Sequence, residues 1–289
     1  HTHANISKAA MEKGIHVYVQ KPLTHNVKEA RMLSELAKKN KIVTQMGNQG
    51  GSNPEQKMIQ KWIKDGRIGK VSTVYTWTNR PVWAQGSPMP SPDPTQKPDG
   101  MNWDLWIGPA KNNGYTPGLH AFSWRGYWDY GTGSLGDMGC HIMDVPIKAL
   151  GMFEPYSIEA SVPRVPYVGD YTPAPVYDDS CPPSSYVTYK CRPSKLNDSQ
   201  VKLVWMDGGL RPSHPDIITD KDDIGENGVL MFGENGLIWC DNYGINIKAT
   251  PANLALASEN LEKMEAKYAA LVENEDVAEL GPKEKDEIK

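Results

Sequence analysis

The residues best suited to chemistry lie in one stretch, Gly131-Thr132-Gly133-Ser134-Leu135-Gly136-Asp137-Met138-Gly139-Cys140-His141-Ile142-Met143-Asp144. Asp137 and His141 are four residues apart and share a face if the segment is helical. A histidine titrates near neutral pH, and a carboxylate beside it can orient the ring and raise its basicity, so the pair suits proton transfer. Two other readings use the same side chains. Asp137 can cap a helix start while His141 is satisfied in a core. Alternatively Asp137, His141 and Asp144 can hold a metal, although no second His or Cys cluster stands nearby.

These residues need a wall to stand on. The glycine-rich approach runs into apolar Leu135, Met138, Ile142 and Val145, the pattern of a loop entering a helix that buries one side. Upstream, residues 4 to 13 read as a helix stopped at Gly14, His16 to Gln20 as a short buried strand, Asn26 to Asn40 as an amphipathic helix capped by Asn26, and Ile42 to Met46 as a second strand. Strand, crossover helix and strand of these lengths make a parallel βαβ unit. Its strand ends, Gln20-Lys21-Pro22 and Met46-Gly47-Asn48-Gln49, are where such sheets hold ligands. No G-x-G-x-x-G turn opens the chain, so the first residues read as mid-fold, the tail of a doubly wound sheet.

Pro54 to Gly66 is a further helix, and Val71 to Arg80 alternates as a long strand. Pro81 to Gly118, dense in Pro, Gly, Trp and Asn, is a long loop whose tryptophans suit either packing or a sugar-stacking wall. Beyond the central helix, Ser157 to Arg164, Ser185 to Tyr189, Gln200 to Met206, Gly228 to Phe232 and Leu237 to Cys240 read as strands, with Gly233-Glu234-Asn235-Gly236 a hairpin turn. The fold class is therefore α/β: a C-terminal remnant of a Rossmann-like parallel sheet (residues 1–50), then an α+β domain with a large, mostly antiparallel sheet (51–248). Ser258 to Val272 has helical spacing, within a charged tail (249–289).

The 289 residues carry a net charge of −4, with 39% hydrophobic and 23% charged residues. There is no basic, aromatic-laced patch for nucleic acid, no apolar run near the roughly 20 residues that span a membrane, and no signal peptide at the start. Cys140, Cys181, Cys191 and Cys240 form no C-x-x-C. Cys181 and Cys191 bracket a turn and a short strand, and their spacing leaves a bridge open; a disulfide would imply an oxidising compartment. His1 with His3 beside a free amino terminus is a copper- or nickel-chelating pattern.

Lys21 after a short strand, the D-x-x-x-H helix, Gln45-Met46-Gly47-Asn48-Gln49 and Trp124-Arg125-Gly126-Tyr127-Trp128-Asp129-Tyr130-Gly131-Thr132-Gly133 together resemble the Gfo/Idh/MocA family of NAD(P)-dependent oxidoreductases over residues 1 to 248. Within it the chain is most similar to the exported bacterial branch. The resemblance implies carbohydrate metabolism: a hydride moved between NAD or NADP and a secondary hydroxyl of a sugar or cyclitol. It implies Lys21, Asp137 and His141 as the catalytic group, with Gln20, Lys21, Pro22 and Asn48 on the cofactor. Trp124, Arg125 and Asp137 would lie along the substrate, Arg125 being equally suited to a structural ion pair, and no metal is implied. Gln20 stands where the family's E-K-P motif has glutamate, and the phosphate-binding glycines are absent, so the chain reads as an incomplete dehydrogenase. The resemblance further implies a homo-oligomer in the periplasm, the cytoplasm being the alternative, and places His1 and His3 in a loop after a strand. Two other functions use the same residues: an NAD-dependent glycosidase or lyase working by transient oxidation of a sugar, and a non-catalytic sugar-binding or assembly module.

Overall fold

The computed structural model describes residues 1–152, 154–163, 177–216, 218 and 223–250. Two compact units divide the chain, 1–248 and 249–289. The tail helix expected at Ser258 to Val272 lies outside the described residues, as does Arg164 at the end of the expected Ser157 strand.

The chain opens with helix α1 (His3–Glu12), strand β1 (Val17–Gln20), helix α2 (Val27–Asn40) and strand β2 (Thr44–Gly47). The two strands pair in parallel, Val17 opposite Thr44 and Gln20 opposite Gly47, so this is the expected Rossmann-like remnant. Asn26 caps α2 through its Oδ1, which accepts the Glu29 amide at 3.0 Å, while the Glu29 carboxylate takes the His25 amide at 2.7 Å. One orphan donor of the helix start and the amide just before the cap are thereby satisfied. Ala4, Met11, Leu33 and Ile42 form the small core between the helices. That core explains why β2 begins at Thr44 rather than Ile42: the Ile42 amide closes α2 on the Ala37 carbonyl at 2.9 Å and its side chain turns inward. Tyr18, 76% exposed, and Val43, 66% exposed, leave the strand surface open on the other side.

Helix α3 (Pro54–Lys64) leads to a seven-stranded sheet of β3 (Val71–Trp77), β4 (Pro155–Ser161), β5 (Tyr186–Cys191), β6 (Val201–Met206), β7 (Gly228–Gly233), β8 (Gly236–Cys240) and β9 (Lys248–Thr250). Their order is β4-β5-β6-β3-β7-β8-β9. β3 runs parallel to β6 and antiparallel to β7, and β4/β5, β5/β6 and β7/β8 are antiparallel, the mostly antiparallel sheet that the sequence implies. The hairpin turn falls where expected, with Gly233 opposite Gly236. On one face Trp77, Val204, Met206, Leu230, Leu237 and Trp239 pack with Ile218 and Ile224. Helix α6 (Asp144–Leu150) packs on α3 and reaches β7.

The long loop holds a 3-10 turn (Pro94–Gln96) and one short α-helix, α4 (Trp103–Ile107), which sequence spacing did not mark because five residues are too few for a period to emerge. Trp103 stacks on Trp106 with centroids 4.7 Å apart and meets Tyr115 edge-on; with Ile107, Leu119, Tyr127 and Tyr130 they make a second small core. Of the two roles open to the loop tryptophans, packing is what Trp103 does. All four cysteines are free. Cys191 ends the six-residue strand β5 and Cys181 precedes it, with no bridge between them.

Candidate active site

Helix α5 (Gly133–Ile142) carries the site. Its glycine-rich start lets it approach the preceding turn: a Cβ on Gly131 would lie 2.4 Å from the Arg125 carbonyl oxygen, so only glycine fits there. Met138 and Ile142 are buried, which fixes the rotation of the helix and aims Asp137 and His141 at the carboxyl ends of β1 and β2. The helix stops at Ile142 and Asp144 starts α6, where its carboxylate is held by Lys148 at 2.9 Å.

At the end of β1, the Lys21 ammonium donates to the Asp137 carbonyl at 2.9 Å and to its Oδ1 at 3.1 Å, across 116 residues of sequence. Arg125 Nε reaches the same Oδ1 at 3.2 Å. The guanidinium is locked by the Phe122 carbonyl at 3.0 Å and by the rings of Phe122 and Trp124, 4.4 and 4.6 Å from its carbon. Asp137 therefore serves two cations, and both the Lys21 and Asp137 side chains are about six-sevenths buried, at 14% and 15% exposure.

His141 is 2% exposed. Its orientation comes from a backbone group and not from a carboxylate, as the D-x-x-x-H spacing alone suggests: Nδ1 lies 3.3 Å from the Gln49 carbonyl, while Asp137 is occupied by Lys21 and Arg125. A carbonyl only accepts, so Nδ1 carries the proton and Nε2 presents the lone pair. Burial, and then the Lys21 charge, hold the imidazole below its ordinary value, against the opposing pull of the Gln49 contact, Asp137 and Asp144. Beside it, burial pushes the Cys140 thiol up to about 11, so it is not a thiolate at neutral pH.

At the end of β2, Asn48 donates from Nδ2 to the Cys140 carbonyl at 2.7 Å, and its Oδ1 is buried with no partner. Gln20 is exposed on β1 with its amide oxygen over Gly47, and the Pro22 carbonyl takes His3 Nδ1 at 2.7 Å. Lys21, Asp137, Arg125, His141 and Asn48 thus converge. Gln20 and Pro22 flank them, and Trp124 stands at the rim.

Two cavities adjoin the cluster. One of about 380 Å³ is walled by His1, His3, Pro22, Trp106, Trp124 and Tyr130. The other, about 490 Å³, runs past Pro22, Trp128, Leu135, Cys181 and Val187. Neither is lined by Lys21, Asp137 or His141. Sequence reasoning missed two participants, the Gln49 carbonyl and Tyr243, whose ring meets His141 edge-on at 5.3 Å. A backbone carbonyl has no side-chain signature, and Tyr243 arrives from a distant turn.

A nicotinamide cofactor would be held at the strand ends. The unpartnered Asn48 Oδ1 is an acceptor suited to an amide N–H, and Lys21 is a donor beside it, so the residues present fit the nicotinamide end of such a group. The spacing of a glycine-rich phosphate turn, Gly131-x-Gly133-x-x-Gly136, opens α5 and does not follow a strand of the parallel pair.

Comparison with known proteins agrees with this architecture. A family model described as "Oxidoreductase family, NAD-binding Rossmann fold" matches residues 1–48, and one described as "Oxidoreductase family, C-terminal alpha/beta domain" matches 53–164. The levoglucosan dehydrogenase of Pseudarthrobacter phenanthrenivorans is 25% identical over 153 residues, 53% of this chain and 31% of the relative. Among solved structures, an NAD binding oxidoreductase from Klebsiella pneumoniae superposes with a TM-score of 0.52 at 18% identity, covering 86% of this chain and 54% of the other. The WlbA dehydrogenase from Bordetella pertussis, solved with NADH and UDP-GlcNAcA, gives 0.52 at 13% identity over 87% and 60%. The two structures share the fold, and the chain spans little more than half their length.

Proposed function

The chain belongs to the Gfo/Idh/MocA family of oxidoreductases, and from that premise we propose that it transfers a hydride between NAD or NADP and a secondary hydroxyl of a sugar or cyclitol. The observation that carries the reading is the pair of hydrogen bonds that the Lys21 ammonium donates to Asp137, which ties the end of a parallel strand to the helix bearing His141. The similarity to a dehydrogenase named for levoglucosan supports a sugar-like substrate. In this reading residues 1–50 serve the cofactor, 51–248 the substrate and self-association, and 249–289 form a tail.

When bound, the nicotinamide supplies the hydride acceptor. The chain's own groups do the rest. His141, with Nδ1–H directed to the Gln49 carbonyl, accepts the hydroxyl proton at Nε2. Lys21 spends two donors on Asp137 and has a third N–H for the reacting oxygen, whose developing negative charge it stabilises. Asp137 holds Lys21 in place and has Oδ2 available to a neighbouring hydroxyl. Arg125, pinned by Asp137 and its aromatic neighbours, fixes Asp137 from the other side, and Trp124 offers a ring to the sugar. Asn48 offers its unpartnered oxygen to the cofactor's amide. Preorganised donors of this kind act strongly because water is kept out.

The test is turnover of the full protein with oxidised cofactor and a panel of pyranoses and cyclitols. Reduced cofactor should appear with at least one of them and be lost in His141→Ala. Sugar binding with no reduction of the cofactor by any sugar would contradict the proposal.

A further inference from the structure

Tyr243 sits in a seat built from three parts of the chain. Asp241 Oδ1 accepts the Tyr243 and Ile245 amides at 2.9 Å each, and its Oδ2 takes Asn246 Nδ2 at 2.9 Å, which closes a rigid turn. The buried Gln56 of α3 donates from Nε2 to the Tyr243 carbonyl at 3.3 Å. On the far side Gly50, at φ +83°, packs so tightly that a Cβ would lie 2.9 Å from that same carbonyl oxygen. Gly50 follows Gln49, whose carbonyl faces His141 Nδ1. One loop therefore supplies both the acceptor for the imidazole and the seat for the tyrosine.

The ring so held stands edge-on to His141, at 79° between planes. We propose that Tyr243 is a positioning residue for His141: its ring is the wall that presses the imidazole against the Gln49 carbonyl and keeps water from it. The inference rests on the reading of His141 as the proton-transfer group. The other groups facing the imidazole are Lys21 from the end of β1, Asp137 on α5 and Asp144 at the start of α6. Lys21 favours the neutral ring and the two carboxylates oppose it, so exclusion of water decides the balance. A base fixed in one tautomer and held neutral is ready to take a proton from a hydroxyl without first losing one of its own.

Nitrogen NMR of the imidazoles in the full chain tests this, comparing wild type, Tyr243→Ala and Tyr243→Phe, with exposed His16 as the internal control. Tyr243→Ala should raise the His141 titration midpoint toward that of an exposed histidine and mix its tautomers, with His16 unmoved; Tyr243→Phe should restore both. Where the alanine variant does not fold, Tyr243→Leu is read instead, and its midpoint moves in the same direction. The acid limb of the pH–rate profile should follow the NMR midpoint. An unchanged midpoint and tautomer in the folded Ala or Leu variant overturns the role. The two readings separate: absence of turnover in wild type leaves the NMR result standing, whereas an unmoved midpoint leaves catalysis by His141 untouched.

Discussion

At the scale of single residues, the account turns on a neutral histidine beside a lysine that shares its aspartate with an arginine. His141→Ala should lower kcat by about 10²- to 10⁴-fold while the circular dichroism of the fold is unchanged, since the imidazole is held by a long hydrogen bond to Gln49 and an edge-on contact with Tyr243. The pH dependence has a definite sign. Burial and Lys21 lower the folded pKa of His141 from the ordinary 6.5, so below that value the unfolded chain binds a proton that the native chain refuses. The stability held above the ordinary imidazole range is therefore lost as pH falls through it toward the lowered folded value. Chemical denaturation across this window should show the loss, and His141→Gln should flatten it. Lys21→Met, by removing the second cause of the depression, should raise the His141 midpoint by NMR while turnover falls. A midpoint that stayed put would mean that the ammonium is not felt at the ring.

At the scale of elements, α2 and α5 hold the two halves of the site in register. Asn26→Ala removes the cap on α2 and should cost about 1 kcal/mol, read as a shifted urea midpoint at constant m-value. Much at this scale was legible in the sequence. The 3.6-residue periodicity of residues 27–40, the Asn26 cap and the Gly233 to Gly236 turn all report local physics, and local physics is what a sequence displays. The break between α5 and α6 at Met143 and the short helix α4 were not legible, because Asp144 leaves the first helix for an ion pair with Lys148 and α4 exists to stack Trp103 on Trp106. The lysine, aspartate and histidine of the site could be named from motif order. The carbonyl of Gln49 and the ring of Tyr243 could not, since both contacts are made by long-range packing around Gly50 that no local pattern encodes.

At the scale of the whole molecule, the parallel pair β1/β2 and the larger sheet have different surfaces. Tyr156 and Ile158 on the edge strand β4 are 44% and 59% exposed, apolar area of the kind that self-association covers. The homo-oligomer implied by the family resemblance should appear in light scattering as a mass that is a multiple of the 32.1 kDa chain, and Ile158→Lys should shift it toward the single chain without loss of secondary structure. The central claim is that hydride transfer is run by the cluster of Lys21, Asp137 and His141. The most direct test follows deuterium from the carbinol carbon of a labelled sugar, using mass spectrometry of the nicotinamide ring after reaction with wild type and with His141→Ala. The account predicts deuterium on the ring in wild type and almost none in the variant over the same time. Equal labelling in both, or a sugar turned over with no deuterium ever reaching the ring, would contradict it.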